Sequence, residues 1–230
     1  MRAKSSRYDT MTDQGEEKYF EAGKLALALC KKYLGEVRPH CIVDFPSGYG
    51  RALRWFRNEW RSAEIFAVET DERALGFVRS HFNAIPLISD ANLRVSLPDN
   101  VDLIFCGSLL THFDEWPWDI FFDKCVLSLE VDGCLIFTVH GRTHASLVKD
   151  NPKFFGEGID GKKLYEDYER SGFSYLPYSA DYPEYGISLS SPEWIFRKLQ
   201  KISYGKIIGF EEQGWGQDVI AIRKKPWPYL

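Results

Sequence analysis

The chain has 230 residues, a length typical of one domain or of one domain with an insertion. Hydrophobic residues make up 44% and charged residues 27%, as in globular proteins, and no apolar run has the length of a membrane-spanning helix. A net charge of −4 disfavours a non-specific nucleic-acid binder, and the absence of an apolar stretch after the first charges predicts no secretory signal and a cytoplasmic location.

The first 35 residues are predicted to form a helical extension ahead of the first strand. Residues 1–12 are polar, and we expect them to be frayed. From Asp13 to about Tyr33, apolar side chains recur with helical spacing, which predicts an amphipathic helix that Gly35 ends.

Strands and helices then alternate five times. The apolar runs begin near positions 41, 65, 86, 101 and 134, and the predicted helices cover 51–60, 72–81, a short stretch near Ala91, and 117–129. Runs that are apolar at consecutive positions are typical of strands buried on both faces of a parallel sheet. This alternation predicts right-handed βαβ units.

The pattern changes at Gly141. Residues 141–204 are rich in aromatic residues, with helices predicted at 161–171 and 192–201 and no clear period at 175–191. Two apolar runs at 206–211 and 218–223, joined by a glycine-containing link, predict an antiparallel hairpin. The sequence therefore predicts an α/β fold, a seven-stranded and mostly parallel sheet with an antiparallel C-terminal hairpin, in a single domain over 1–230.

The turn after the first strand has the clearest functional signal. The run VDFPSGYGR, from Val43 to Arg51, lies between an apolar strand and a helix, and its glycines allow a ligand to approach the backbone. Glu69 ends the next strand 19 residues after Gly50, close to the ~20-residue offset at which a carboxylate meets ribose hydroxyls. Together these features indicate a cofactor that contains adenosine.

The glycine pattern narrows the choice of cofactor. The turn lacks the third glycine of a dinucleotide site, which disfavours a nicotinamide-dependent oxidoreductase. The run Asp44-x-Pro46-x-Gly48-x-Gly50 resembles the D-x-G-x-G-x-G motif of class I S-adenosylmethionine-dependent methyltransferases, with Pro46 in place of the first glycine. Because proline has no N–H, a non-catalytic S-adenosylmethionine-binding protein stays open as an alternative.

Three further landmarks follow in the order of that family. Residues 87–91 resemble its third strand and acidic end, 101–113 its fourth strand and loop, and 131–140 its fifth strand. The runs DFPSGYGR, GSLLTH and TVHGR are similar to a bacterial subgroup often associated with sugar or polysaccharide biosynthesis. The resemblance covers about 38–225 and implies a Rossmann-like fold and S-adenosyl-L-methionine as the cofactor.

The resemblance implies a set of cofactor-binding residues. Glu69 would bind the ribose hydroxyls and Asp90 the adenine edge, although an exposed loop acid and a helix N-cap are the alternatives for these two positions. Gly107 and Ser108 would lie beside the methionine part. The predicted set is Asp44, Pro46, Gly48, Gly50, Glu69, Thr70, Asp90, Ala91, Gly107 and Ser108.

Histidines are the candidates for catalysis. Methyl transfer from a sulfonium needs alignment in a dry site, and a hydroxyl acceptor also needs a proton acceptor. His140 ends the fifth strand and His112 follows the fourth, both at the edge where open α/β sheets bind ligands. We predict His140 as general base or acceptor-positioning residue and His112 as second choice; a structural loop histidine is the alternative for each. Arg142 is a candidate for binding an anionic acceptor group.

The aromatic segment 141–204 is predicted to be a substrate-binding insertion, since rings with polar tips suit a cover over a sugar or aromatic acceptor. The alternative is that these rings form the insertion's own core. We predict O-methylation of a small molecule or glycan. A nucleic-acid methyltransferase is a competing interpretation, but GSLL replaces the N-P-P-Y or Pro-Cys runs of such enzymes after the fourth strand.

The chain contains five cysteines and five histidines. Four of the cysteines lie in apolar runs and none forms a C-x-x-C pair, which predicts buried free thiols in a reducing compartment. The histidines do not combine with them at the spacing of zinc ligands, so no metal site is predicted.

Overall fold

Seven strands form one mixed sheet, and two more form a separate hairpin, in a computed structural model that describes residues 5–226. The strands are β1 Cys41–Asp44, β2 Glu64–Glu69, β3 Ile85–Ile88, β4 Val101–Cys106, β5 Leu129–Val139, β6 Phe173–Pro177, β7 Gly186–Ser190, β8 Gly205–Glu211 and β9 Asp218–Lys224. The helices are α1 Glu16–Leu34, α2 Leu53–Glu59, α3 Glu72–Phe82, α4 Trp116–Ser128, α5 Arg142–Asp150, α6 Gly161–Ser171 and α7 Pro192–Leu199, with short 3₁₀ helices at Thr10–Gln14 and Leu110–His112.

The order of the large sheet is β3-β2-β1-β4-β5-β9-β8. Strands β1 to β5 pair in parallel, whereas β9 is antiparallel to both β5 and β8. The predicted seven-stranded, mostly parallel sheet with an antiparallel C-terminal hairpin is confirmed. The strand order reverses between β1 and β4, and open α/β sheets bind ligands at such a switch point.

Central strands are buried on both faces, as their continuous apolar sequence requires. Ile42 in β1 and Leu103 in β4 pack with α1, α2 and α3 on one side of the sheet. Val43 and Ile104, the next residues along each strand, pack on the other side with α4 and α7. These two apolar layers hold the carboxyl ends of the strands in fixed register.

Two predictions about local structure were wrong. The short helix near Ala91 is absent, because the Asp90 carboxylate accepts hydrogen bonds from the backbone of Asn92 and Arg94 and closes a turn instead. The expected fraying of residues 1–12 does not hold for residues 5–12, since Asp9 is buried and caps the first 3₁₀ helix. Positions 1–4 lie outside the described residues.

In the segment 141–204, α6 and α7 confirm the helices predicted at 161–171 and 192–201, whereas α5 and the β6–β7 hairpin were not predicted. The segment has a small apolar core of its own around Val148, Leu164 and Leu189. The link between β6 and β7, residues 178–185, lies over the carboxyl edge of the large sheet. This link, which we call the cover loop, brings the insertion to the site.

Within residues 5–226, no helix combines the length and apolar character needed to cross a membrane. In the same range no group of three or more His, Cys, Asp or Glu side chains is arranged to hold a metal ion. All five cysteines are free thiols, four of them buried and Cys41 half-buried.

Candidate cofactor and acceptor site

A cavity of about 840 Å³ opens where β1, β2 and β4 end. Its size lies within the range of roughly 300–1,000 Å³ that is usual for small-molecule sites. Nine of the ten predicted cofactor residues line it: Asp44, Pro46, Gly48, Glu69, Thr70, Asp90, Ala91, Gly107 and Ser108. The topology thus brings together residues that the sequence separates by up to 64 positions, from Asp44 to Ser108.

Gly50, the tenth predicted residue, does not line the cavity and has a structural role in the turn instead. Its φ of 80° is in the left-handed region, and a Cβ added there would lie 2.8 Å from the Phe82 ring. Its carbonyl accepts a 2.9 Å hydrogen bond from Arg54 Nε. Gly50 therefore shapes the turn and lets α3 pack close to it.

Glu69, at the end of β2, is held by backbone donors. Its Oε2 accepts a 3.0 Å bond from the Gly48 N–H, and its Oε1 accepts a 2.7 Å bond from the Thr70 N–H. The Thr70 hydroxyl also donates to Oε1, at 3.2 Å, so the free lone pair of this carboxylate is on Oε2. A ligand hydroxyl can bind at Oε2, and a second one can bind at Oε1 where it replaces the Thr70 hydroxyl.

Asp44, at the end of β1, carries an unsatisfied oxygen. The side chain is only 1% exposed, and its Oδ2 has no hydrogen-bond partner among the described residues. Burial raises the pKa of Asp44 well above its ordinary value, against the opposing charge of Arg51. A buried, unpaired carboxylate oxygen at a cavity wall is costly unless a ligand supplies a donor or a cation.

His112 lies in the cavity wall with a defined proton position. Its Nδ1 is 2.9 Å from the Gly186 carbonyl oxygen, which can only accept, and 3.1 Å from the Tyr178 hydroxyl, whose oxygen can also accept, so Nδ1 carries the hydrogen. Burial lowers the pKa of His112, which keeps the imidazole neutral at neutral pH. Its Nε2 has no partner among the described residues and retains a free lone pair.

His140, the first choice for a base, does not line the cavity. It is 7% exposed, and its ring centre lies 4.3 Å from that of His144 and 5.0 Å from that of Phe155, with the ring planes tilted. Burial, with the nearby His144 and His112, lowers its pKa to about 3. The Gln217 amide lies between His140 Nε2, at 3.3 Å, and the Ser108 hydroxyl of the cavity wall, at 3.0 Å.

The aromatic rings of the insertion divide into two groups. Tyr178, Tyr182 and Tyr185 of the cover loop line the cavity, and the Tyr185 ring lies 4.9 Å from that of His112. Others, such as Tyr168 and Phe173, are buried in the cores. Arg142 is exposed, pairs with Glu212 at 2.9 Å and does not line the cavity.

Other cavity residues were not predicted to be functional. Asp9 and Met11 come from the N-terminal segment, Arg51 follows the glycine turn, and Trp215 belongs to the link between β8 and β9. The position of Arg51 beside the glycine turn was an available signal. No sequence signal pointed to Asp9, Met11 or Trp215, because their place at the cavity depends on contacts between distant parts of the chain.

The cavity has a negative balance of charge. Five acidic residues and one basic residue are among the described residues that line it: Asp9, Asp44, Glu69, Asp90 and Glu184 against Arg51. Carboxylates in a partly enclosed cavity raise the local concentration of cations and repel anions. This arrangement favours a ligand with a positive charge.

The chain is similar to known proteins in part of its sequence and in its fold. Residues 43–137 match the model of a family described as "Methyltransferase domain". A protein from Pyrococcus horikoshii has a similar structure, at 14% identity and a TM-score of 0.67, over 96% of this chain and 97% of that one. A comparison with curated proteins found no match.

Two further solved structures are similar to the chain. One is a putative S-adenosylmethionine-dependent methyltransferase from Methanococcus maripaludis, with 14% identity, a TM-score of 0.60 and full coverage of both chains. The other is 1,6-didemethyltoxoflavin-N1-methyltransferase from Burkholderia thailandensis, solved with 1,6-didemethyltoxoflavin and S-adenosylhomocysteine, at 13% identity and a TM-score of 0.63 over 95% of this chain and 84% of that one. At these identities the similarity shows that the chain shares the fold of these proteins.

Proposed function

We propose that the protein transfers a methyl group from S-adenosylmethionine to a hydroxyl of an uncharged small-molecule or glycan acceptor. The matched domain and the ligand-bound neighbours indicate S-adenosylmethionine as the cofactor. The observation that carries the proposal is that one cavity contains both the backbone-held Glu69 carboxylate and the free Nε2 of a neutral His112.

The cavity residues fit the cofactor in charge and in hydrogen bonding. Glu69 would accept hydrogen bonds from the two ribose hydroxyls, and Asp44 would meet a positive group with its unpaired Oδ2. Asp90 and Ala91 line the cavity beyond β3 and would face the adenine. When bound, the cofactor supplies a methyl group already activated by the sulfonium charge.

His112 is the residue that would accept the proton. The Gly186 carbonyl holds the hydrogen on Nδ1, so Nε2 is available to take a proton from an acceptor hydroxyl. We assign this role to His112 rather than to His140, because Gln217 separates His140 from the cavity. His140 retains a positioning role through Gln217 and Ser108.

The acceptor class follows from the cover loop and the charges. The three tyrosines offer flat apolar faces and hydroxyl tips, which suit an aromatic ring or a sugar. The acidic lining would repel phosphates and carboxylates, which argues against nucleic acid and nucleotide-linked sugars. The free and mostly buried thiols support the predicted cytoplasmic location.

The test begins with calorimetric titration of the protein with S-adenosylhomocysteine. Binding should be followed by transfer of labelled methyl groups from S-adenosylmethionine to a panel of neutral phenols and sugars, with carboxylated and phosphorylated analogues as matched controls. We expect transfer to neutral members. Failure to bind S-adenosylhomocysteine would refute the methyltransferase, and binding without transfer to any member would favour the non-catalytic alternative.

A further inference from the structure

Two oxygen atoms at the end of the β6–β7 hairpin lie beside His112 Nδ1. One is the Gly186 carbonyl oxygen at 2.9 Å, and the other is the Tyr178 hydroxyl at 3.1 Å. Gly186 lies opposite Pro177 in the pairing of β6 with β7, and Tyr178 is the residue after Pro177. Both oxygens therefore come from the place where the cover loop leaves and rejoins the hairpin.

This end of the hairpin is fixed against His112. The buried Ser188 hydroxyl of β7 donates a 2.9 Å hydrogen bond to the Leu110 carbonyl, in the same short 3₁₀ helix as His112. The Tyr178 N–H donates a 3.1 Å bond to the Tyr185 carbonyl and closes the cover loop. The rings of Tyr178 and Tyr185 lie 5.8 Å and 4.9 Å from the His112 ring. The hairpin thus sets the position of the Tyr178 hydroxyl.

The direction of the bond between Tyr178 and His112 follows from Gly186. Because a carbonyl only accepts, the hydrogen is on Nδ1, and the Tyr178 oxygen accepts it as well in a three-centre bond. The Tyr178 hydroxyl has no other hydrogen bond with a described residue, and the side chain lines the cavity. Burial, with the nearby Tyr185, raises the pKa of Tyr178 to about 12, so this phenol is neutral at neutral pH.

The ionisable groups that face the His112 ring are neutral as well. Burial raises the pKa of Tyr185 and lowers that of His140, which lies close enough for the charge of His112 to lower it further. The cavity carboxylates of Glu69 and Glu184 form no ion pair with His112, nor does any other carboxylate among residues 5–226. The hydrogen bonds to Nδ1–H are therefore the direct contacts that stabilise a positive charge on the ring.

We propose that Tyr178 is a positioning residue for His112: its hydroxyl oxygen shares the Nδ1 hydrogen with the Gly186 carbonyl and stabilises the imidazolium. The inference rests on the proposed function, in which Nε2 takes the proton of an acceptor hydroxyl. In that step Nδ1 keeps its hydrogen, the ring gains one positive charge, and Tyr178 keeps its own proton. A charged donor makes the stronger hydrogen bond, so both oxygens favour the protonated ring. The insertion then both covers the acceptor and sets the proton affinity of the base.

Tyr178→Phe tests this role, because it removes the hydroxyl and keeps the ring. It should lower the pKa of His112 by about 0.5–1, as expected for one lost hydrogen bond, in an NMR titration of the imidazoles. The chain has five histidines, and the signal that His112→Gln lacks identifies His112. Tyr182→Phe is the matched control: it removes a hydroxyl that lies in the same loop and makes no hydrogen bond with His112, so the pKa of His112 should stay at the wild-type value.

Kinetics give a second readout once an acceptor is known. Tyr178→Phe should slow methyl transfer by about 2–10-fold and move the acid limb of the rate to lower pH, because the base is weaker. Its affinity for S-adenosylhomocysteine should equal that of the wild type. Thermal unfolding checks that each variant folds.

The outcomes separate this inference from the proposed function. An unchanged pKa of His112 in Tyr178→Phe, or an equal fall in Tyr182→Phe, overturns the inference, and so does a slower rate with the pKa unchanged. The titration needs neither cofactor nor acceptor. A fall confined to Tyr178→Phe in a protein that transfers no methyl group would therefore refute only the proposed function and leave the contact with His112 established.

Discussion

We propose different roles for His112 and His140 because the two rings have different surroundings. Burial lowers the pKa of both, so both imidazoles are neutral at neutral pH. Only His112 reaches the cavity, with Nδ1 committed to the Gly186 carbonyl and Nε2 left free. A base needs an accessible lone pair as well as a suitable pKa, and His140 lacks the access.

Replacing His112 with Gln should slow methyl transfer by ~10²–10⁴-fold, the usual contribution of a positioned base. Affinity for S-adenosylhomocysteine should stay near the wild-type value. In the wild type the rate should fall only below the ordinary histidine pKa of about 6.5, because protonation of Nε2 requires pH below the lowered pKa. Initial rates across pH, with calorimetry for binding, measure these effects.

The matched variant is His140→Gln. It should reduce the rate less than His112→Gln and leave the position of the acid limb unchanged. A fully active His112→Gln together with an inactive His140→Gln would return the role of base to His140.

Glu69→Ala should cost about 2–4 kcal/mol of cofactor binding, because two hydrogen bonds to a fixed carboxylate are lost. Calorimetric titration with S-adenosylhomocysteine measures this, and circular dichroism checks the fold. The control is Glu64→Ala at the opposite, exposed end of the same strand, which should bind normally. Equal affinity in the wild type and Glu69→Ala would remove Glu69 from the ribose site.

At the scale of elements, α1 packs closely against β8 because position 209 is a glycine. A Cβ added at Gly209 would lie 2.1 Å from the Tyr33 ring, so glycine is required for the ring to lie on the strand. The Tyr33 hydroxyl then donates to the Glu211 carboxylate. This contact fastens the N-terminal helix to the last strand pair.

Gly209→Ala should destabilise the protein by about 1–3 kcal/mol, the usual cost of overpacking. Gly76→Ala is the matched control: Gly76 lies in α3 with no atom within 4 Å of the added Cβ. Gly76→Ala should stabilise the protein by about 0.5–1 kcal/mol, because alanine forms helices better than glycine does. Urea unfolding compares the two, and a shift of the same sign in both would contradict the packing argument.

At the scale of the whole molecule, buried histidines couple stability to pH. Burial lowers the pKa of His140 to about 3 and that of His144 to about 4. Both titrate near 6.5 in the unfolded chain. Between these values the unfolded state binds more protons than the folded state, so the free energy of unfolding falls as the pH falls.

His144→Gln should therefore flatten the dependence of stability on pH between about 6.5 and about 4. The expected change in slope is at most about 1.4 kcal/mol per pH unit, which is the effect of one proton. Urea unfolding at several pH values measures the slope for the wild type and for the variant. The difference between the two slopes removes the contribution of Asp44 and Asp218, whose raised pKa values make stability rise as the pH falls.

Local patterns in the sequence determined the α/β fold, the glycine turn and the position of Glu69. Buried parallel strands are apolar at consecutive positions, and their carboxyl ends meet at one edge, so strand order in the chain is enough to predict which residues share that edge. The cover loop and the β6–β7 hairpin were not predicted. The serines of β7 alternate with Ile187 and Leu189, but over only four positions, which is too short a run for a period to stand out.

Only the tertiary structure decided which charged and titratable groups are left for a ligand. The Gly186 carbonyl that sets the His112 tautomer is 74 positions away, and Gln217, which separates His140 from the cavity, is 77 positions from it. The cation–π contact of Arg51 in the cavity wall depends on Trp215, in another part of the chain. Burial and long-range contacts determine protonation and pairing, and neither is encoded in local periodicity.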